Sequence, residues 1–582
     1  MHVTSSSLLV LLVSGVLAHA QTPANGAPPD LEGLWQAKKR FGPEIVGPLT
    51  VDRREGTWRA SIAGRSAMVR TSGDTLMFAI PAVGRFNGRL SPDRRSLVGI
   101  WAQESPNVAT PMTLTTCGSN CYRGAVEGLV DELTFYLKVA RRPDGTLSAF
   151  LRNPERNFGT INTRVARIES NGSAVRLLDR RDTLVLQGTL RNGIMSVFIP
   201  LRGGATYDFR RVADTAFTSF HPGGRQSATY TYTAPRRRGD GWEVGTPRDV
   251  GIVPDSINAV ISRIYATQAD SAPMFQPHAL LIARHGKLVV EEYFHGEHAD
   301  KPHNSRSGSK SVLTTLIGAA MLKGVRITPQ TRVYATLRPD ATNLDARKQA
   351  MTLEDLLTMS AGLDCNDSGE ERPGNEDVLT QNEAQPDWYS AILDLNVVRD
   401  AGVPAIYCSI KPHLAGAVLS RVAGRPLDDM MRELLFEPLG MTSYYIGLSP
   451  LGDVYFGGGH SIRARDYLKF GQLYLNGGTW NGRRILSQDW VRRAIEPRFT
   501  IGRAQYLNYG YLWWSREYPY RGGTVRAYMA LGNGGQNVVF IPDLDLVIAT
   551  NGGNYSDNPR VFYYTDEFIP KYILPAILPE KK

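Results

Sequence analysis

Between residues 31 and 212 the apolar positions come in short alternating runs, such as TLMFAI at 75–80 and SLVGIW at 96–101, broken by Gly, Asp and Asn. Successive strand side chains point to opposite faces, so this spacing predicts short strands joined by tight turns. An all-β N-terminal domain, a barrel or a sandwich, is expected over 31–212. Residues 213–250, including HPGGRQSATYTYTAPRRRGDG, lack a period and are rich in Pro, Gly and polar residues, which predicts a linker.

From 251 to 582 the pattern changes. Ile257, Val260, Ile261 and Ile264 share one helical face after Pro254. Apolar strands are predicted at 278–284 and 287–294 around His285-Gly286, and near the C-terminus at 537–541 and 546–550 around Pro542-Asp543-Leu544-Asp545. Helical patterns lie between these β ends. The expected class is α+β: an antiparallel sheet drawing strands from both ends of the domain, with a large helical insertion. A chain of 582 residues also exceeds one hydrophobic core, which stops growing at about 250 to 300 residues.

The first residues add a targeting signal. An apolar run from Leu8 to Ala18 ends in Ala18-His19-Ala20, which predicts a signal peptide over 1–20 even though no Lys or Arg precedes the run. The run is shorter than the roughly 20 residues a membrane helix needs, and no later segment offers a membrane span. No cysteine stands near the cleavage site to take a lipid. A periplasmic or secreted protein is expected.

The four cysteines are compatible with two disulfides in an exported protein, and Cys117 with Cys121 and Cys365 with Cys408 are the candidate pairs; four free thiols are the alternative. Neither they nor the sequence His295-Gly296-Glu297-His298 has the spacing of a metal site, so no metal is expected and HGEH reads as polar residues at a strand end. The net charge of +10 belongs to the N-terminal part, where 31–240 holds 31 Lys and Arg against 18 Asp and Glu. That excess suits either an anionic envelope polymer or a merely solvated surface. The arginines are not grouped with aromatics, so nucleic acid is not an expected partner.

The candidate chemistry begins at Ser307-Gly308-Ser309-Lys310. Val312, Leu313, Leu316, Ile317, Ala320 and Met321 follow at helical spacing until Lys323-Gly324, so Ser307 falls at a helix N-terminus. Side chains three apart on a helix are neighbours, which brings the Lys310 amine to the Ser307 hydroxyl. Alone, the tetrapeptide is common. Here it is followed in order by MTLEDLLTMSAGLD, by Tyr407-Cys408-Ser409 within AGVPAIYCSIKPHLAGAVLSRVAGRPL, by LLFEPLGM, and by GGGHSIRARDYLKFGQLYLNGG.

With these motifs, roughly 250–580 resembles the penicillin-recognising serine hydrolases: class C β-lactamases, D-alanyl-D-alanine peptidases, family VIII esterases and the 6-aminohexanoate-dimer hydrolase branch. The resemblance implies an acyl-enzyme mechanism without a cofactor. Ser307 is then the nucleophile, Lys310 and Tyr407 supply the base, and Ser409 hydrogen-bonds within the pocket. A serine needs such a base to become nucleophilic. A lysine acting as a neutral base at pH 7 must drop about three units from its reference pKa of about 10.4, so a dry pocket or a nearby cation is expected around Lys310.

The family's third motif, KTG or HTG, corresponds to Asn533-Gly534-Gly535, with Gln536 expected to lend a backbone amide to an oxyanion hole beside that of Ser307. The cation of that motif is absent. It helps hold a substrate carboxylate, so esters or small amides are the expected substrates, with D,D-peptidase or β-lactamase activity as the alternative. A penicillin-binding or envelope-binding module without turnover is a further alternative. Arg526 is a candidate replacement anion contact or a surface residue, and His460 a pocket or a structural histidine.

Overall fold

The strand Gly33–Phe41 pairs with Asp131–Arg141 on one side and with Ala205–Val212 on the other, so its sheet closes on itself. This computed structural model describes residues 30–156, 164–201, 204–213, 219–267, 275–369, 371–402, 404–501, 507–555 and 562–579. The signal peptide expected at 1–20 lies outside the described residues. The closed sheet is an eight-stranded barrel, and closure removes the unpaired edges that an open sheet presents. Alternate side chains such as Trp35, Leu133, Phe135, Leu137, Met195 and Tyr207 point inward and fill it.

Between the first two barrel strands the chain builds a second β unit, from Gly47–Arg54 to Cys121–Val126. It has its own core around Leu49, Val51, Phe78, Phe86, Trp101 and Leu114. Alternation along the sequence reports which residues face a core, not which core. The N-terminal β region therefore holds two units where one was expected. The Cys117–Cys121 disulfide closes the turn between two strands of the inserted unit.

The C-terminal domain is built on a nine-stranded sheet whose central strands are Lys287–Tyr293, Pro277–Arg284, Leu546–Gly552, Gln536–Ile541 and Gly523–Gly532, all antiparallel. As the sequence predicts, strands from both ends of the domain meet in it. Its two faces are both covered: Leu281 and Ala283 belong to the core that includes the helix Ser309–Leu322, and Leu280 and Ile282 to that of the helix Pro254–Tyr265. Burial on both faces explains why these strands read as continuous apolar runs.

Part of the stretch predicted as a linker is packed. Trp242 lies edge-on to Trp480 with ring centroids 5.0 Å apart, and Glu243–Val244 pairs in parallel with the start of Lys287–Tyr293. Arg465 grips Asp240 and Glu291, each at 2.7 Å. Local composition favours a loop there, but two apolar residues and one buried guanidinium suffice to dock it.

Candidate active site

The turn that carries Ser307 is held from behind. Ser305 donates both its backbone N–H (2.7 Å) and its hydroxyl (2.8 Å) to the His460 carbonyl, and the Ser305 and Ser309 hydroxyls meet at 2.8 Å. Asn304 Oδ1 accepts from Arg306 N at 2.8 Å, and Arg306 adopts φ 48°, a left-handed conformation uncommon for a residue with a side chain. Ser307 thus sits in a short 3-10 turn, Arg306–Gly308, that leads into the helix Ser309–Leu322. Gly308 must lack a side chain, because a Cβ there would lie 1.8 Å from the Tyr467 hydroxyl.

The helix is buried on nearly all sides, more than its apolar stripe suggests. Its polar positions are satisfied by segments distant in sequence: Ser311 donates to Leu512 O at 2.7 Å, Thr314 to Tyr511 O at 2.8 Å, and Trp490 Nε1 to Thr314 O at 3.0 Å.

Lys310 is fully buried, and its ammonium donates to Ser307 Oγ at 2.9 Å, to Ser409 Oγ at 2.9 Å and to the Gly457 carbonyl. An ammonium has three donors and no acceptor, so these contacts use all of them. Burial pulls its pKa down, yet Tyr407, Glu376 and Asp367 outweigh burial and hold it above the ordinary lysine value. This corrects the expectation of a lowered lysine: the pocket is dry, but it supplies anions rather than a cation.

Tyr407 lies beside this group, with the Lys310 nitrogen 4.9 Å from its ring centroid. Its ring stacks on Trp514 (centroids 5.5 Å apart) and meets the edge of Tyr509 (6.3 Å), forming an aromatic wall. Ser409 links outward: its backbone N–H (2.9 Å) and its hydroxyl (2.7 Å) both donate to Asp367 Oδ2. Asp367 is brought there by the Cys365–Cys408 disulfide, whose Cα atoms are 6.0 Å apart. Glu376 accepts a hydrogen bond from Tyr455.

The glycine-rich third motif abuts the same turn, but mainly through its backbone. Gly532 ends its strand so close to Ser305 that a Cβ would lie 2.3 Å from the Ser305 carbonyl, and Gln536 O lies 3.7 Å from the Cβ position of Gly308. The Gln536 side chain is occupied with the neighbouring strand, donating to Gly552 O at 2.6 Å and accepting from Asn551 Nδ2 at 3.2 Å. Gly534 and Gly535 have φ 95° and 100°, and a Cβ on Gly535 would lie 2.1 Å from the Tyr564 ring. The glycine requirement at 535 is therefore met inside the protein. Asn533 is exposed at the turn.

Arg526 lies at the far end of that strand, seven residues or about 20 Å along extended chain, and pairs with Glu517 at 2.7 Å on the surface. His460 is a structural histidine, buried, accepting from Gly447 N at 3.2 Å, and its pKa is lowered to about 3 by burial. In the HGEH segment, Glu297 pairs with Lys301 at 2.6 Å and His295 packs on Arg152, joining the barrel to the C-terminal domain. Among the described residues no group of three or more His, Cys, Asp or Glu is arranged to hold a metal ion.

A cavity of about 770 Å³ lies beside the Ser307 turn, with Asn107 and Val108 of the inserted β unit on one wall and Arg306, Tyr455 and Gly458 on the other. Sequence reasoning missed Asp367, Glu376, Gly457 and Trp514 as neighbours of the site. Asp367 falls in an aperiodic loop, Glu376 opens the short helix Glu376–Gln381, and Gly457 acts through its carbonyl, so only the Cys365 and Cys408 pairing pointed toward Asp367.

With this geometry goes a family: residues 277–558 match the family described as Beta-lactamase, so this part of the chain is a beta-lactamase family domain. The chain is similar to the 6-aminohexanoate-dimer hydrolase of Paenarthrobacter ureafaciens, at 26% identity over 286 residues that cover 46% of this chain and 71% of that one. Among solved structures it is similar to a penicillin-binding protein homologue from Caulobacter crescentus (19% identity, TM-score 0.41, 52% of this chain and 93% of the other). It is also similar to EstCE1, a hydrolase with promiscuous acyltransferase activity (17% identity, TM-score 0.41, 56% and 97%).

Proposed function

We propose that the protein is an exported serine hydrolase that cleaves esters or small amides through an acyl-enzyme on Ser307. The observation that carries this reading is the 2.9 Å hydrogen bond from Lys310 Nζ to Ser307 Oγ inside a buried pocket. Lys310, donating to Ser307 Oγ and lying 4.9 Å from the Tyr407 ring centroid, serves to orient the serine hydroxyl toward Tyr407. Tyr407 then takes the Ser307 proton. The Oγ–acyl bond forms, the bond to the leaving group breaks, and Tyr407 returns the proton to the departing oxygen or nitrogen. Water repeats the sequence and releases the acid. The backbone amides of Ser307 and Gln536 are the proposed oxyanion donors, each typically worth about 100- to 1000-fold in rate.

Preference for uncharged substrates follows from Asn533 at the place of a cation and from Arg526 being engaged with Glu517 on the surface. Export is supported by the apolar leader and by two disulfides, which persist in oxidising compartments. An envelope-polymer role for the basic N-terminal part stays a second reading: some of its arginines, such as Arg54, Arg94 and Arg156, pair with neighbouring carboxylates, but 31 Lys and Arg stand against 18 Asp and Glu over 31–240. The test is hydrolysis of p-nitrophenyl butyrate with labelling of Ser307 by a fluorophosphonate. Both are expected in the wild type and absent in Ser307→Ala; labelling that persists in the variant overturns the assignment.

A further inference from the structure

Behind the Ser307–Lys310 pair stands a carboxylate with no counterpart among the residues that the sequence motifs bring forward. Asp367 Oδ2 receives two hydrogen bonds from Ser409, at 2.9 Å from N and 2.7 Å from Oγ, and Ser409 Oγ in turn accepts from Lys310 Nζ at 2.9 Å. The hydroxyl of Ser409 has a single proton. With that proton directed to Asp367, its lone pairs face Lys310, and the donor direction of the whole line is set: Lys310 to Ser409 to Asp367. The Asp367 backbone N–H also donates to Tyr407 O at 3.4 Å, and Cys365 is bonded to Cys408, so the loop is fastened to the Tyr407–Ser409 segment at three places.

We propose that Asp367 is a positioning residue for acyl transfer: acting through Ser409, it holds Lys310 as a directed ammonium against Ser307 and Tyr407. This rests on Ser307 being the nucleophile. Asp367 does not reach the reacting atoms; it touches Ser409.

The charges facing this line are few enough to predict the sign of a pH effect. Lys310 is faced by Tyr407, Glu376 and Asp367. Asp367 is faced by Lys310 and Glu376, and its charge is felt by Lys411 and Tyr455. A negative charge beside a base stabilises the base's protonated form, as Asp367 does for Lys310. Removing the Asp367 charge therefore moves the acid limb of the reaction to lower pH. Glu376 remains, so the pocket keeps part of its anionic character. A purely structural aspartate predicts a slower reaction with the limb in place.

The experiment follows the rate of Ser307 phosphonylation by a fluorophosphonate against pH in the full chain. In that step the Ser307 Oγ–P bond forms, the P–F bond breaks, fluoride leaves, and the hydroxyl proton passes to the base. For Asp367→Asn, which keeps an acceptor for Ser409 but no charge, the acid limb is expected to fall by roughly one pH unit with a reduced plateau rate. Asp367→Glu, which restores the charge, is expected to return the limb toward wild type. An Asn limb coincident with wild type overturns the proposal while leaving Ser307 as nucleophile. Absence of wild-type labelling at every pH overturns the nucleophile reading and the proposal with it. If Asp367→Asn does not fold, as judged by thermal melting, Asp367→Ser is read against the same criterion.

Discussion

Ala109 of the inserted β unit is strand-paired with Ile446 of the C-terminal domain. From that pair a ladder runs inward: Tyr444 pairs with Ile462, and Ile462 with His303, two residues before Ser305. Thr110 Oγ1 adds a hydrogen bond to Tyr444 O at 2.9 Å. The N-terminal part is thereby tied to the turn that carries Ser307. Ala109→Pro, which disrupts strand pairing, is expected to lower both the melting temperature and turnover. Hydrogen exchange is the sharper measurement: protection at 444–447 and 303–305 should fall together, and unchanged protection at 303–305 would mean that the ladder is not coupled to the site.

Lys310→Ala and Tyr407→Phe should each reduce turnover by about 100- to 10,000-fold, the usual worth of acid–base assistance. Because Lys310 touches Ser307 and lies 4.9 Å from the Tyr407 ring centroid, the two losses should not be additive in the double variant. Steady-state kinetics on p-nitrophenyl butyrate checks this, and near-normal rates in both single variants would remove them from the mechanism.

The Cys365–Cys408 disulfide spans 43 residues, and closing a loop of that length stabilises by up to about 4 kcal/mol in the chain-entropy account. Replacing both cysteines by alanine should therefore lower stability in urea unfolding. Activity in the folded variant should fall as well, since Asp367 loses its fastening. Undiminished activity would show that the backbone and Ser409 bonds hold Asp367 without the disulfide.

Substrate preference should be indifferent to Arg526. Its guanidinium is engaged with Glu517 and stands far from the Asn533 turn, so Arg526→Ala should leave the ratio of kcat/KM for p-nitrophenyl butyrate and nitrocefin within about twofold of wild type, the scale of ordinary surface substitutions. A nitrocefin rate that leads in the wild type and collapses in the variant would assign Arg526 to carboxylate binding after all.

Lys411 gives a pH signature of stability. Its amine is buried and donates to Met359 O at 2.9 Å and Ile406 O at 2.7 Å, and burial together with Arg399 lowers its pKa from 10.5 to about 7. Between those values the unfolded chain holds the proton and the folded one does not, so rising pH favours the folded state. The contribution is complete above the unfolded pKa and is lost as pH falls through about 7. The stability difference between wild type and Lys411→Met should accordingly shift in favour of wild type as pH rises from 7 to 10. A pH-independent difference would mean that Lys411 is charged throughout.

Much of this protein is legible in its residues because the relevant signals are local. Alternation at 75–80 and the helical stripe of Val312, Leu313, Leu316 and Ile317 report faces, and the three-residue step from Ser307 to Lys310 places two side chains together on any helical turn. The antiparallel hairpins at the two ends of the C-terminal domain are implied by the short turns at 285–286 and 542–545 between apolar runs. What remained for the tertiary structure was decided by contacts between segments distant in sequence. Ile446 on Ala109, Trp242 on Trp480 and Asp367 on Ser409 have no local period to announce them. Nor does any spacing disclose that the lysine's three donors are engaged, or that burial is outweighed at Lys310 by Tyr407, Glu376 and Asp367, which only the folded chain brings to it.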